Sequence, residues 1–203
     1  SVSSALVKGC KNLQTVVFTG RTKNLTVIEA AAFKETKNLN TISLPDTIKT
    51  ISKEAFYDSG IENIHLPENL RQIRTMAFAG SGLKDIIIPN KIKKLGEYAF
   101  HNCEELTEVT LPESVTKIPS GIFEDCCSLK TVNAPNVDTV CDHAFYNCKN
   151  LETFDFSKLQ SLDLMAFAYT GIREAVFSDK FSQLGISAFH HCKNLQTVDM
   201  KAC

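Results

Sequence analysis

Ala99-Phe100-His101-Asn102-Cys103-Glu104-Glu105-Leu106-Thr107-Glu108-Val109-Thr110-Leu111-Pro112 is the stretch that decides the fold. Its phenylalanine belongs to a lattice. Phe33, Phe56, Phe78, Phe100, Phe123, Phe145, Phe167 and Phe189 follow one another at steps of 23, 22, 22, 23, 22, 22 and 22 residues. Eight of the 13 phenylalanines thus share one register, and all but Phe123, which follows Ile122, come directly after alanine. Self-similarity at a period of roughly 20 to 50 residues is the mark of stacked repeats, in which no unit can bury its own apolar side alone.

Each unit repeats one order of apolar positions. Around Phe100 these are Leu95, Ala99, Cys103, Leu106, Val109, Leu111, Val115 and Ile118; around Phe78 they are Ile73, Leu83, Ile86, Ile88 and Ile92. Leu106 to Leu111 alternates apolar and polar residues from Val109 onward, so a short strand is expected with Val109 and Leu111 inward and Glu108 and Thr110 outward. Proline follows at once in Pro45, Pro67, Pro89, Pro112 and Pro135, where a missing amide ends the strand without loss of a ladder bond. Segments shortened by one residue, at Ser59-Gly60-Ile61, Ser81-Gly82-Leu83 and Thr170-Gly171-Ile172, account for the difference between the 22- and 23-residue steps. Nine strand segments, beginning at Leu13, Leu39, Ile61, Leu83, Leu106, Leu129, Leu151, Ile172 and Leu195, predict one parallel sheet about 40 Å long.

The run Ala-Phe-x-x-Cys-x-x-Leu-x-x-Val-x-Leu-Pro from Ala99 to Pro112 resembles the BspA-like leucine-rich repeats. That resemblance extends over essentially the whole chain. It implies a leucine-rich-repeat solenoid of the α/β superhelix class: a right-handed coil with one long parallel β-sheet and short turns, 3-10 or helical segments on the convex side. It also implies a setting in surface proteins of bacteria and some protozoan parasites. Residues 1–203 are read as a single domain of about seven full repeats with partial units at both ends. The family's pattern is departed from at Ser157, Ser178 and Lys201, which stand where proline is expected, and in a stretched segment between Thr19 and Ile28. Neither end shows a polar capping unit, so two readings stay open: a fragment of a larger protein, which we prefer, and end-to-end packing through the uncapped termini.

Bulk charge narrows the partners. Against 23 Asp and Glu stand 22 Lys and Arg, a formal net charge of −1. Such a balance supplies no overall field to draw in nucleic acid or anionic lipid. No apolar run approaches the roughly 18 residues that span a bilayer. Neither nucleic acid nor membrane insertion is therefore expected.

Chemistry-bearing residues are few. Cys10, Cys103, Cys126, Cys148 and Cys192 occupy one lattice slot that Thr36, Ser59, Ser81 and Thr170 fill elsewhere. A slot taking Cys, Ser or Thr asks for a small side chain that can hydrogen-bond near a turn, a structural role. Cys127, Cys141 and Cys203 lie off that slot, and their disulfide or free state is not readable. Cys141-Asp142-His143 with Cys148, and His190-His191-Cys192, lack the paired spacing of a four-ligand zinc site. A Cys141–His143 nucleophile pair has no pocket that the repeat predicts. His101 and His190, next to the lattice phenylalanines, are expected on the exposed convex side. No catalytic residue, cofactor or metal is expected, and the chain is not read as an enzyme.

The outward strand residues remain as the candidate partner-binding face: Asn63, His65, Asp85, Ile87, Glu108, Thr110, Thr131, Asn133, Thr153, Asp155, Glu174 and Val176, continued by Thr15, Val17, Thr41, Ser43, Thr197 and Asp199. This set holds acids and exposed apolar groups but no Lys or Arg. The expected function is a protein-binding or adhesion module of a cell-surface or secreted protein, taking a host, matrix or cell-surface protein, with a glycan as a further partner class. The alternative is a structural spacer that displays another domain and has no ligand of its own.

Overall fold

A computed structural model describes residues 1–19 and 23–201. The Cys203 thiol, and part of the stretched segment between Thr19 and Ile28, lie outside the described residues. The chain is a parallel β-solenoid of about eight turns, and one hydrophobic cluster runs through it from Val2 to Ala188.

The alternation read at Leu106–Leu111 is realised. Val109 and Leu111 are buried and Glu108 is exposed. The expected strands form three parallel groups rather than one continuous sheet. The first is β1 (Thr15–Val16) on β3 (Thr41–Ile42); the second is β6 (Asp85–Ile87), β8 (Glu108–Thr110) and β10 (Thr131–Asn133); the third is β13 (Glu174–Phe177) on β15 (Thr197–Met200). At Asn63–His65 and Thr153–Asp155 the backbone follows the same path without ladder pairing. In the second of these gaps Phe154 and Phe156 point inward onto Phe145 and Phe167, with ring centroids 5.1–5.5 Å apart. Val132 and Ala175 occupy the position of Phe154 in the adjoining units. The larger ring of Phe154 thus stands where this segment leaves the ladder.

A second strand ladder, not foreseen from the sequence, is built from the return segments. It comprises β2 (Val27–Ile28), β4 (Thr50–Ile51), β5 (Gln72–Ile73) and β7 (Lys94–Leu95), then β9 (Lys117–Ile118), β11 (Thr139–Val140), β12 (Ser161–Leu162) and β14 (Gln183–Leu184). Each strand has two residues, the second packed on the core except in β14, where Leu184 is exposed; two residues are too few to show a period in sequence.

The third side holds the lattice phenylalanines. Their rings stack in an unbroken column from Phe33 to Phe189, with successive centroids 4.9–5.9 Å apart. The helical segments expected there are absent among the described residues; the side is made of turns. Around Phe56 the amides of Glu54, Phe56 and Asp58 donate to Thr75, Ala77 and Ala79 on the next coil, whereas those of Ala55, Tyr57 and Ser59 donate three residues back. A helix requires every amide to bond within its own segment. Glu54 and Asp58 also have positive φ, 56° for each, as do Tyr98 and Asn102 about Phe100 and His143 and Asn147 about Phe145. Left-handed residues two before and two after each phenylalanine cannot continue a right-handed helix.

Candidate functional site

The candidate partner-binding residues come together on the outer wall of the first strand ladder. Asn63, His65, Asp85, Ile87, Glu108, Thr131, Asn133, Thr153, Asp155, Glu174 and Val176 are all exposed, and Thr110 is half-buried. The exposed apolar groups are substantial: Ile87 is 72 % and Val17 70 % accessible, and Val176 37 %. Isolated apolar side chains are ordinary on a surface, but Ile87 borders a hollow. Where Asn63–His65 leaves the ladder, a cavity of about 450 Å³ opens, lined by Asn63, His65, Glu68, Asp85, Ile87 and Pro89 over a floor of Ile64 and Leu66. The break thus gives the wall a concave feature.

Charge on this wall is partly set by pairs at its edge. Glu62 accepts from Lys84 at 2.5 Å and Glu152 from Arg173 at 2.9 Å, each across one coil. Asp85, Glu108 and Glu174 have no ion pair among the described residues. Asp155 accepts hydrogen bonds from the Ser157 hydroxyl at 2.6 Å and amide at 3.0 Å, which hold its carboxyl below the usual carboxylate range. The wall is therefore mildly acidic.

The cysteine slot has the structural geometry expected of it. Cys103, Cys126, Cys148 and Cys192 donate their thiols to the carbonyls of Phe78, Phe100, Phe123 and Phe167, at 3.0–3.2 Å. Thr36 and Thr170 serve the same turn by donating to Phe33 and Phe167 of their own coil. The described cysteines are free thiols. Cys141 is buried, and burial pushes its thiol up, opposed by Lys117 on the second ladder, while His143 packs against Tyr146. Cys127 donates to the Asn147 carbonyl at 3.6 Å. Cys192 turns inward, whereas His190 and His191 pack on Tyr169, so these three do not converge.

His101 departs from expectation. It is half-buried rather than exposed, its ring stands edge-on to Tyr98, and its Nδ1 is buried without a hydrogen-bond partner. One coil away are Glu124 and Asp125, and one ligand atom from each of the three lies within 4.8 Å of the others. Burial raises the Glu124 carboxyl above its usual range, opposed by His101 and His143. Three donors fall short of a closed four-ligand structural site. The cluster went unread because its members are 23 and 24 residues apart, and only the coil brings them together.

Two overlapping stretches, residues 1–126 and 72–196, match the model of the BspA type leucine rich repeat region, in six copies. The chain belongs to the BspA-type leucine-rich repeat family. Among solved structures it is similar to a leucine-rich repeat protein from Bacteroides ovatus, at 29 % identity and a TM-score of 0.88 over 98 % of this chain and 52 % of that one. It is also similar to the leucine-rich repeat protein of T. pallidum (23 % identity, TM-score 0.61, 95 % of this chain and 70 % of that one). A third likeness is to one from Eubacterium ventriosum (21 %, 0.60, 84 % and 56 %). The chain thus spans about half the length of the Bacteroides ovatus protein. No curated protein matches the sequence. For a BspA-type chain the scaffold carries the surface and does not by itself name the ligand.

Proposed function

We propose that this BspA-type solenoid is a protein-binding module of a cell-surface or secreted protein, and that its partner docks on the outer wall of the first strand ladder. The observation that carries this reading is the hollow at the ladder break. There a largely exposed Ile87 stands beside Asp85 and His65, so one concavity offers an apolar anchor and polar groups to orient it. Unpaired acids on either side favour a partner with basic or polar groups, through steering and register more than through raw affinity.

The test is biosensor binding against purified matrix and cell-surface proteins. A partner captured by the native chain should lose at least about tenfold in affinity with Ile87→Asp, a loss of roughly 1.4 kcal/mol. The triple substitution Asp85→Lys, Glu108→Lys, Asp155→Lys should abolish its capture. Unchanged binding in both variants sinks the strand-wall assignment.

A further inference from the structure

The net charge of −1 averages over two walls of opposite character. On the second ladder Lys49, Arg71 and Lys93 succeed one another at one-coil intervals, directly before the paired residues Thr50, Gln72 and Lys94. Lys94 and Lys117 continue the adjoining column. Arg71 is half-buried and the four lysines are exposed; among the described residues none of the five has a carboxylate within ion-pair distance. The same two columns further along hold Asp138, Thr139, Gln160, Ser161, Ser182 and Gln183. Positive charge is thus confined to the coils up to Lys117.

At that limit the ladder is broken. Gly96 donates its amide to Ile73 at 2.8 Å, and Cys141 donates to Ile118 at 3.0 Å. The residue between them in register is Pro119, which has no amide to offer Leu95. The neighbouring bonds lapse with it. Lys93 and Lys94 donate to Arg71, and Asp138 and Thr139 to Thr116, but β7 and β9 are not paired and the Thr116 and Lys117 amides have no counterpart bond to Lys93. A hollow of about 550 Å³ lies at the gap, lined by Lys93, Lys94, Lys117, Thr116, Ser114 and Ser120, with Glu97 its single carboxylate. Ammonium groups, hydroxyls and freed amides converging on one concavity make a setting for an anion.

We propose that this second wall binds a sulfated polysaccharide, with a sulfate seated in the Pro119 gap and the polymer running along the cationic columns across the coils. Cations repeated about every 4.8 Å suit a linear polyanion, whose binding releases its condensed counterions. A single-stranded nucleic acid fits less well, because its affinity draws on base stacking and no aromatic residue lines this hollow or the neighbouring one formed by Lys53, Arg74 and Lys94. The wall differs from the one assigned to protein binding in both position and sign, so either reading can fail without the other.

The experiment is titration of the 203-residue chain with heparin, hyaluronan and a DNA oligonucleotide, at low and high salt. Heparin binding that weakens steeply with salt and exceeds that of unsulfated hyaluronan and of DNA is the expected result. Lys94→Glu with Lys117→Glu should weaken it at least about tenfold. The charge-matched Lys180→Glu with Lys193→Glu, on exposed positions of later coils, should leave it within about twofold. Because all four lysines are exposed, circular dichroism should be the same for both variants, and unequal loss then reports the wall. No heparin binding at low salt, equal loss in the two variants, or DNA bound as tightly as heparin overturns the proposal.

Discussion

The Cys126 thiol lies 3.1 Å from the Phe100 carbonyl of the preceding coil and donates to it, tying two turns together from inside the core. Burial pushes this thiol well above its ordinary range, and that of Cys148 likewise. Both are therefore poor nucleophiles in the native chain. Under native conditions a thiol reagent should label exposed Cys10 at once and leave Cys126 and Cys148 unreacted until denaturant is added. Cys126→Ala, which removes the donor and leaves a void, should cost about 1–2 kcal/mol in a urea titration. Cys126→Ser should cost less than Cys126→Ala, because it leaves a smaller void and keeps a hydroxyl able to donate.

Phe100→Ala removes a fully buried ring that stacks on Phe78 and Phe123 at 5.5 and 5.7 Å. The expected cost is about 3–5 kcal/mol. His101→Ala, one residue on, should cost well under half of that, since the ring is only half-buried and its Nδ1 has no hydrogen bond to lose. Equal losses in a denaturant titration would contradict the placement of Phe100 within the column.

The Pro119 break has a signature in amide exchange. Thr116 and Lys117 amides should exchange at least about tenfold faster than those of Asp138 and Thr139, which occupy the same positions one coil later and donate to the Thr116 carbonyl at 2.8 and 3.2 Å. Equal protection would mean that β9 pairs with β7 after all.

Lys34 and Glu54 meet at 2.5 Å across one coil, both mostly buried, with Lys34 also 4.5 Å above the Tyr57 ring. The hydrogen bond from Lys34 holds the Glu54 carboxyl below its ordinary value of 4.5 and lifts the lysine. A carboxyl lowered in the folded state contributes stability above that ordinary value and loses it as pH falls through the lowered one. Glu54→Gln should therefore cost about 0.5–1 kcal/mol at neutral pH, and the gap between native chain and variant should narrow as pH falls below 4.5 and close once it has passed the lowered value. A gap independent of pH would show that the pair contributes through packing alone.

Much of this architecture was legible because the signal repeats. The Phe lattice, the inward Val109 and Leu111 and the outward Glu108 needed only a period of 22 or 23 residues and one alternation of two. The second ladder was not legible, since β4 or β7 contributes just two residues and no hydrophobic period emerges from a pair. Turns in place of helices around each phenylalanine were hidden as well, because non-glycine residues such as Glu54 and Tyr98 carry the left-handed backbone there. Two signals were present and went unread: Pro119 stands where neighbouring units have Gly96 and Cys141, and Lys49, Arg71 and Lys93 recur at the lattice spacing. Summing charge over the whole chain concealed the latter. The inward Phe154 and Phe156 fit the apolar pattern, so nothing in that pattern warned that the first wall would be broken there.

The aromatic column has an evolutionary corollary. Within the column each ring stacks on the ring before and the ring after, so one unit of the gene can be duplicated or deleted while every surviving junction of the column keeps a familiar neighbour. Reach then becomes adjustable in increments of about 5 Å, independently of whatever the outer walls have been selected to hold.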